Sequence, residues 1–198
     1  MLAEEYGVSR ATVREALRLL AAQSLIRTAK GAGGGSFVTL PSADHLSDFL
    51  RSGLNLLADA QDVTLPELLE ARELLEVPAA RLAAGRRREE DVDRLRATIP
   101  ARVGGAQEEF TYNEEFHEVV LEASCNTLLL IAAQPIFAVL QTNLARSVLP
   151  RRFYAAVHEQ HRTISGAIES GNARAAERDM REHLSFLRPF YERAWRDA

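Results

Sequence analysis

Three of the five histidines and one asparagine have a spacing that could bring their side chains together. Asn113 and His117 are four residues apart, so both project from the same face of a helix. His161 and His183 lie at nearly equal distances before and after a turn at 171–172, so they stand at the same height of an antiparallel helix pair. Three imidazoles and an amide oxygen suit a divalent transition metal with open coordination positions. On spacing alone, buried histidines satisfied by hydrogen bonds are an equal alternative.

These four side chains require helices to carry them, and the chain beyond residue 45 shows almost no strand pattern. A capping box of Thr64 and Glu67 predicts the start of a long helix, which Gly85 is expected to end. The full set of predicted helices in this part covers 46–58, 65–84, 89–97, 107–123, 127–148, 151–170 and 173–195. The fold class is therefore predicted to be mainly α, with an all-α antiparallel bundle of six or seven helices after a linker at 41–44.

A second group of chemically capable residues lies near the start of the chain. Arg10, Arg14 and Arg18 are spaced by four, so they share one face of a helix that Ser9 is expected to cap. The opposite face of this helix is apolar. A short helical piece at 2–6 and a turn at Gly7 precede it, which is the outline of a helix-turn-helix.

The segment after this helix has the pattern of a β-hairpin. Residues 25–28 and 37–39 are predicted strands, and the glycine-rich residues 30–36 between them form a flexible basic turn. Glycines allow the backbone to approach a phosphate closely. A hairpin in this place indicates the wing of a winged helix-turn-helix.

Charge and composition separate the two parts. Residues 1–40 carry five basic and three acidic residues, a net charge of +2. Because the whole chain has a net charge of −4, the remaining residues carry a net charge of −6. A basic N-terminal part followed by an acidic part fits a DNA-binding module with a separate regulatory domain.

The single cysteine, Cys125, excludes an intrachain disulfide and is expected to be a small core residue. Without a signal peptide or a stretch of about 18 apolar residues, the chain is expected to be cytoplasmic, with no membrane partner.

Residues 2–39 resemble the winged helix-turn-helix of the GntR family of bacterial transcription regulators, through Ser9-Arg10, residues 13–17 and residues 35–38. The resemblance implies DNA contacts by the positions matching Arg10, Thr12 and Arg14. Family members carry another helix before the position of Leu2, so the domain, placed at 1–40, is expected to be incomplete at its N-terminus and weaker in DNA binding. The predicted DNA-binding residues are Ser9, Arg10, Thr12, Arg14 and Gly34.

Residues from about 46 to 190 resemble the FCD effector-binding domain of the FadR subfamily, through residues 68–72, 116–117, 161–168 and 183–184. The domain is placed at 46–198. The resemblance implies a metal, often zinc although nickel and other transition metals also bind such sites, held by Asn113, His117, His161 and His183. Asn113 stands where aspartate is commonest in the family, and its amide brings no charge to the metal.

Small organic acids are among the effectors that this resemblance implies. Arg72 is the candidate clamp for the acid, because guanidinium pairs bidentately with carboxylate. The alternative is that Arg72 pairs with Glu76, its neighbour four residues on, and is structural.

The resulting hypothesis is a homodimeric, ligand-responsive transcription regulator that binds a double-stranded operator and is not an enzyme. Its two recognition helices would meet half-sites about one helical turn apart. A metal-dependent enzyme is one alternative, although residues 158–161 are one residue short of the His-Glu-x-x-His motif. A structural metal without any effector is another. The effector, the operator and the direction of regulation stay open.

Overall fold

A computed structural model describes residues 2–31, 33–145 and 149–195 of the chain. The chain divides into two compact units, Met1–Leu46 and Ser47–Ala198. In the described residues it forms nine helices and one two-stranded sheet. The predicted fold class, mainly helical with a small wing, is confirmed.

The first unit has the helix, turn, helix and hairpin order of the prediction. Its elements are α1 (Leu2–Glu5), α2 (Arg10–Ala22), β1 (Ile26–Ala29) and β2 (Gly35–Val38). Gly7 adopts a φ of 63°, a left-handed conformation that glycine accepts without strain, and so permits the turn between the helices. The strands are antiparallel, with Ile26 opposite Val38 and Ala29 opposite Gly35. Each strand is displaced by one or two residues from its predicted range.

Seven further helices follow in the described part of the chain, in agreement with the predicted bundle. They are α3 (Ala43–Asp59), α4 (Leu65–Arg86), α5 (Glu89–Ala97), α6 (Ala106–Ala123), α7 (Thr127–Asn143), α8 (Arg151–Glu169) and α9 (Ala173–Ala194).

The second unit is organised around α4, which packs against α6, α7, α8 and α9. Its start is set locally, because the Thr64 N–H donates to Glu67 Oε2 at 2.8 Å and Thr64 Oγ1 accepts from the Glu67 N–H. Buried residues occur along its whole length. This central position puts polar side chains of α4 inside the bundle, facing those of α6, α8 and α9.

Three predicted helix bounds are wrong, and so is the end of the linker predicted at 41–44. Helix α3 begins at Ala43 rather than at 46, so the last two residues of that linker are helical. Gly85 does not end α4, which continues to Arg86, and the backbone N–H of Arg87 then donates to Ala83 O. The helix predicted to reach 148 ends at Asn143, because Leu144 leaves it to form a bridge with Trp195. Residues 146–148 lie outside the described part.

The expectation that Cys125 is a core residue is also wrong. Cys125 is exposed and follows the end of α6 with a φ of 50°. Its N–H donates to Glu122 O at 2.9 Å, which closes the last turn of the helix. The buried polar residue at this helix end is Ser124 instead.

In the described part of the chain, no helix combines the length and the apolar composition that a membrane crossing requires.

Candidate functional site

Three of the predicted metal-binding residues meet in the interior of the second unit. His117 comes from α6, His161 from α8 and His183 from α9, and none is more than 1% exposed. His183 Nε2 lies 3.2 Å from His117 Nε2 and 3.3 Å from His161 Nε2. The potential ligand atoms of all three residues lie within 4.8 Å of one another. The sequence spacing across the α8–α9 turn therefore brings His161 and His183 face to face, as predicted.

The neighbours of two of these rings indicate where their protons are. Nδ1 of His117 is in ion-pair contact with Glu76 Oε2. Nδ1 of His183 lies 2.8 Å from Gln160 Oε1. Both oxygens accept, so in the neutral imidazoles each Nδ1 carries the proton and each Nε2 presents a lone pair. Two lone pairs then face each other across 3.2 Å, an arrangement that a cation between them relieves.

The electrostatics of the cluster favour neutral imidazoles. Burial lowers the pKa of His161 and of His183 well below the usual value, and the neighbouring imidazoles lower both further. Burial also lowers the pKa of His117, although the Glu76 carboxylate opposes the shift. At neutral pH the three rings are therefore in the form that binds metal ions.

Arg72 lies on α4 beside this cluster and is 1% exposed. Its Nε donates to Glu76 Oε1 at 2.6 Å, so the ion pair that formed the structural alternative is present. The guanidinium also lies 4.7 Å from the ring centroid of Phe137. Burial raises the pKa of the Glu76 carboxyl, but the charges of Arg72 and His117 outweigh it and bring the value to about 2. Glu76 is therefore ionised at neutral pH.

Four buried polar atoms at this place make no hydrogen bond of good geometry with the described residues. Two of them, Glu76 Oε2 and His117 Nδ1, are in ion-pair contact with each other, and two more remain. One is Nη2 of Arg72, which remains free when Nε is paired with Glu76. The other is Oδ1 of Asn113, one helical turn before His117 on the buried face of α6. An unsatisfied buried donor or acceptor costs about 1–3 kcal/mol. A bound anion would satisfy the Arg72 donor, and a bound cation would satisfy the Asn113 acceptor.

Further buried contacts in the second unit are not predicted from the sequence. Phe116 stacks on His161 with ring centroids 3.8 Å apart and planes 8° from parallel. A second buried pair, His158 and Glu109, joins α8 to α6 through a 2.6 Å contact between Nε2 and Oε2. The sequence pairs Glu76 only with Arg72 and gives no signal for Gln160. Four-residue spacing reveals the first pairing, whereas contacts between helices leave no local signal.

The predicted DNA-binding residues lie on α2 and in the hairpin. Ser9 caps α2, with its Oγ accepting from the Thr12 N–H at 3.1 Å and lying 2.8 Å from Thr12 Oγ1. Arg10 and Arg14 are exposed and form no ion pair or hydrogen bond with the described residues. Arg18 differs, because it is paired with Glu15 at 2.6 Å.

Gly34 is required by the geometry of the hairpin turn. A Cβ atom at this position would lie 2.5 Å from Ala29 O and 2.8 Å from Gly31 O. The Gly34 N–H donates to Gly31 O at 2.8 Å. Any larger residue must therefore open the turn that joins the two strands.

Two family models match the chain. The model of the FCD domain matches residues 67–186, and that of bacterial regulatory proteins of the gntR family matches residues 1–38. The chain belongs to the GntR family of regulators with an FCD domain. The predicted family membership is thereby confirmed.

Known relatives agree with this membership. The HTH-type transcriptional regulator LutR of Bacillus subtilis is 30% identical over 93% of this chain and 85% of its own length. An Escherichia coli regulator named for the L-lactate dehydrogenase operon is 30% identical over 94% of this chain and 73% of its own. The structure of Streptococcus agalactiae GntR aligns with this chain at a TM-score of 0.58 and 25% sequence identity. The alignment covers 96% of this chain and 86% of the Streptococcus chain.

These GntR relatives establish the general activity. The chain is a DNA-binding transcription regulator of the GntR and FCD type. The relatives and both families are regulators of transcription, which confirms the prediction that the chain is not an enzyme.

Proposed function

We propose that this regulator is controlled by a small carboxylic acid that binds beside a divalent metal ion in the second unit. The observation that carries the proposal is the pair of facing Nε2 atoms of His117 and His183, 3.2 Å apart, each with its Nδ1 against an acceptor oxygen. A cluster held by hydrogen bonds alone needs a proton between these atoms. The neighbours leave none there, so a cation is the better account.

Zinc is the first candidate for the ion. Zn–N bonds of about 2.0–2.1 Å in a tetrahedral site separate neighbouring ligand nitrogens by about 3.3 Å, close to the observed 3.2 and 3.3 Å. His117, His161 and His183 would supply three ligands, and Asn113 Oδ1 a fourth. All four are neutral, so a bound ion would keep its full positive charge. Nickel or another transition metal fits the same donors.

The positive charge and Arg72 together favour an anionic effector. Nη2 of Arg72 is buried without a partner, and it can donate to a carboxylate placed beside the metal ion. A relative named for an L-lactate dehydrogenase operon makes L-lactate the first acid to test. The supported class is a small carboxylate, in which one oxygen pairs with arginine and another approaches the metal.

The first unit would bind the operator DNA. Arg10 and Arg14 are available on the exposed face of α2, where guanidinium groups can read guanine edges or contact phosphates. We propose a homodimer in the cytoplasm that places two such helices on half-sites of one operator. The acid would favour one arrangement of the two winged units, which requires different affinities for the two arrangements.

Thermal melts test the ligand half of this proposal. The full chain is treated with chelator, then supplied with Zn²⁺, and then with Zn²⁺ and L-lactate or other small acids. We expect Zn²⁺ to raise the melting temperature and one acid class to raise it further. A rise with Zn²⁺ and none with any acid would favour a structural metal. No rise with Zn²⁺ in a folded protein would contradict the proposal.

Two arginine variants test the DNA half. An operator is first selected from random DNA with the intact protein, and affinities are then measured by fluorescence anisotropy. Arg14→Ala should weaken binding about 5- to 150-fold, because a base-reading arginine is worth about 1–3 kcal/mol. Arg18→Ala, whose side chain is already paired with Glu15, is the matched control and should lose less. Equal losses would contradict the assignment of Arg14 to base reading.

A further inference from the structure

The buried carboxylate of Glu76 touches both halves of the ligand site. Its Oε1 accepts from Nε of Arg72 at 2.6 Å, and its Oε2 contacts Nδ1 of His117. All three side chains are at most 1% exposed. One carboxylate on the central helix therefore joins the arginine of α4 to an imidazole of α6.

The contact with His117 determines which ring nitrogen can bind a metal ion. A carboxylate beside Nδ1 keeps the proton on that atom and leaves a lone pair on Nε2. Nε2 is the atom that faces His183. Without the carboxylate, the proton can move to Nε2 and block it.

The contact with Arg72 determines how the guanidinium is presented. Pairing through Nε leaves the terminal Nη2 free, and Nη2 is the atom without a partner. The pair also compensates a charge that would otherwise be buried alone, at a large cost. The same carboxylate thus holds the donor that an acid would meet.

We propose that Glu76 is a positioning residue that sets the metal-binding tautomer of His117 and the orientation of Arg72 at once. This inference rests on the proposed metal and carboxylate site. In Glu76→Gln, the two neighbours of the side chain determine which way its amide faces. Arg72 can only donate, so the amide oxygen of a glutamine would face it and the amide NH₂ would face Nδ1 of His117. The ring would then carry its proton on Nε2.

The first test is Zn²⁺ affinity, measured by competition with a chelator on the full chain. We expect Glu76→Gln to lower the affinity about 10- to 100-fold, the usual effect of losing the partner of a metal-bound histidine. Glu109→Gln is the matched control, because it removes another buried carboxylate that pairs with a histidine, His158. It should stay within about threefold of the parent. Unchanged affinity in Glu76→Gln, or an equal loss in Glu109→Gln, would overturn the proposal.

The second test reads the tautomer directly, in metal-free protein with ¹⁵N-labelled histidine. The parent and Glu109→Gln should carry the His117 proton on Nδ1, and Glu76→Gln should carry it on Nε2. The same tautomer in all three proteins would overturn the proposal. If the parent binds no Zn²⁺, the proposed metal site fails, but this comparison still decides the role of Glu76.

A second substitution covers the possibility that Glu76→Gln does not fold. Glu76→Asp keeps the negative charge beside Arg72 but shortens the reach toward His117. It should lose Zn²⁺ affinity at least several-fold and gain the Nε2 tautomer, while Glu109→Asp does neither. A folded Glu76→Asp variant with the parent's affinity and tautomer would also overturn the proposal.

Discussion

Replacement of His183 by leucine should remove the stabilisation that the protein gains from Zn²⁺. His183 is the residue whose Nε2 lies 3.2 and 3.3 Å from both other imidazoles, so its loss removes the ligand between them. A ligand at a hundredfold excess over its dissociation constant contributes about 2.7 kcal/mol to stability. For a unit the size of Ser47–Ala198, each kcal/mol shifts the melting temperature by about 2–4 °C. The parent should therefore gain roughly 5–11 °C with Zn²⁺.

The assay follows the helical signal by circular dichroism during heating, first with chelator and then with Zn²⁺. His183→Leu should gain less than about 2 °C, because two imidazoles and an amide bind weakly. His158→Gln is the control, since this buried histidine on the same helix as His161 pairs with Glu109 instead. A full gain in His183→Leu, or no gain in the folded parent, would refute the reasoning.

Three further substitutions test other parts of the account. Arg72→Met should lower the free energy of unfolding in urea by about 3–5 kcal/mol, because it leaves the buried Glu76 carboxylate without its cationic partner. A second change, Glu76→Leu, should recover most of this loss. Gly34→Ala should weaken DNA binding several-fold in an anisotropy titration, since its methyl group would lie 2.5 Å from a backbone oxygen, whereas Gly33→Ala meets nothing within 4 Å. Thr64→Ala should cost about 0.5–2 kcal/mol in thermal unfolding, through loss of the cap of α4.

Each of these substitutions has a contradicting result. A parent-like denaturation midpoint for Arg72→Met would mean that the buried ion pair contributes little. Equal DNA affinities for the two glycine variants would show that the geometry of the turn at Gly34 does not matter for DNA binding. An unchanged melting temperature for Thr64→Ala would show that packing alone holds the start of α4.

Local patterns predicted much of the fold. The capping box of Thr64 and Glu67 and the cap at Ser9 lie within four residues of their partners, and both form as expected. The meeting of His161 and His183 also followed from the sequence, because a tight turn places equidistant residues of two helices at the same height.

The rest of the site depends on contacts that no local pattern encodes. Glu76 and His117 come from different helices and meet because α4 lies at the centre of the bundle. Helix propensity likewise could not reveal that Leu144 leaves α7 to bridge with Trp195. Cys125 was misplaced for a related reason, because its small apolar character favours a core whereas its position one residue past a helix cap exposes it.

The most direct test of the central claim is anomalous X-ray scattering from a crystal of the purified protein, recorded above and below the zinc absorption edge. The account predicts one strong anomalous peak at about 2.0–2.1 Å from the Nε2 atoms of His117, His161 and His183. Peaks at the edges of nickel or another metal would identify that ion at the same place. Well-ordered imidazoles that hydrogen-bond to one another, with no anomalous peak in crystals supplied with these metals, would contradict the claim.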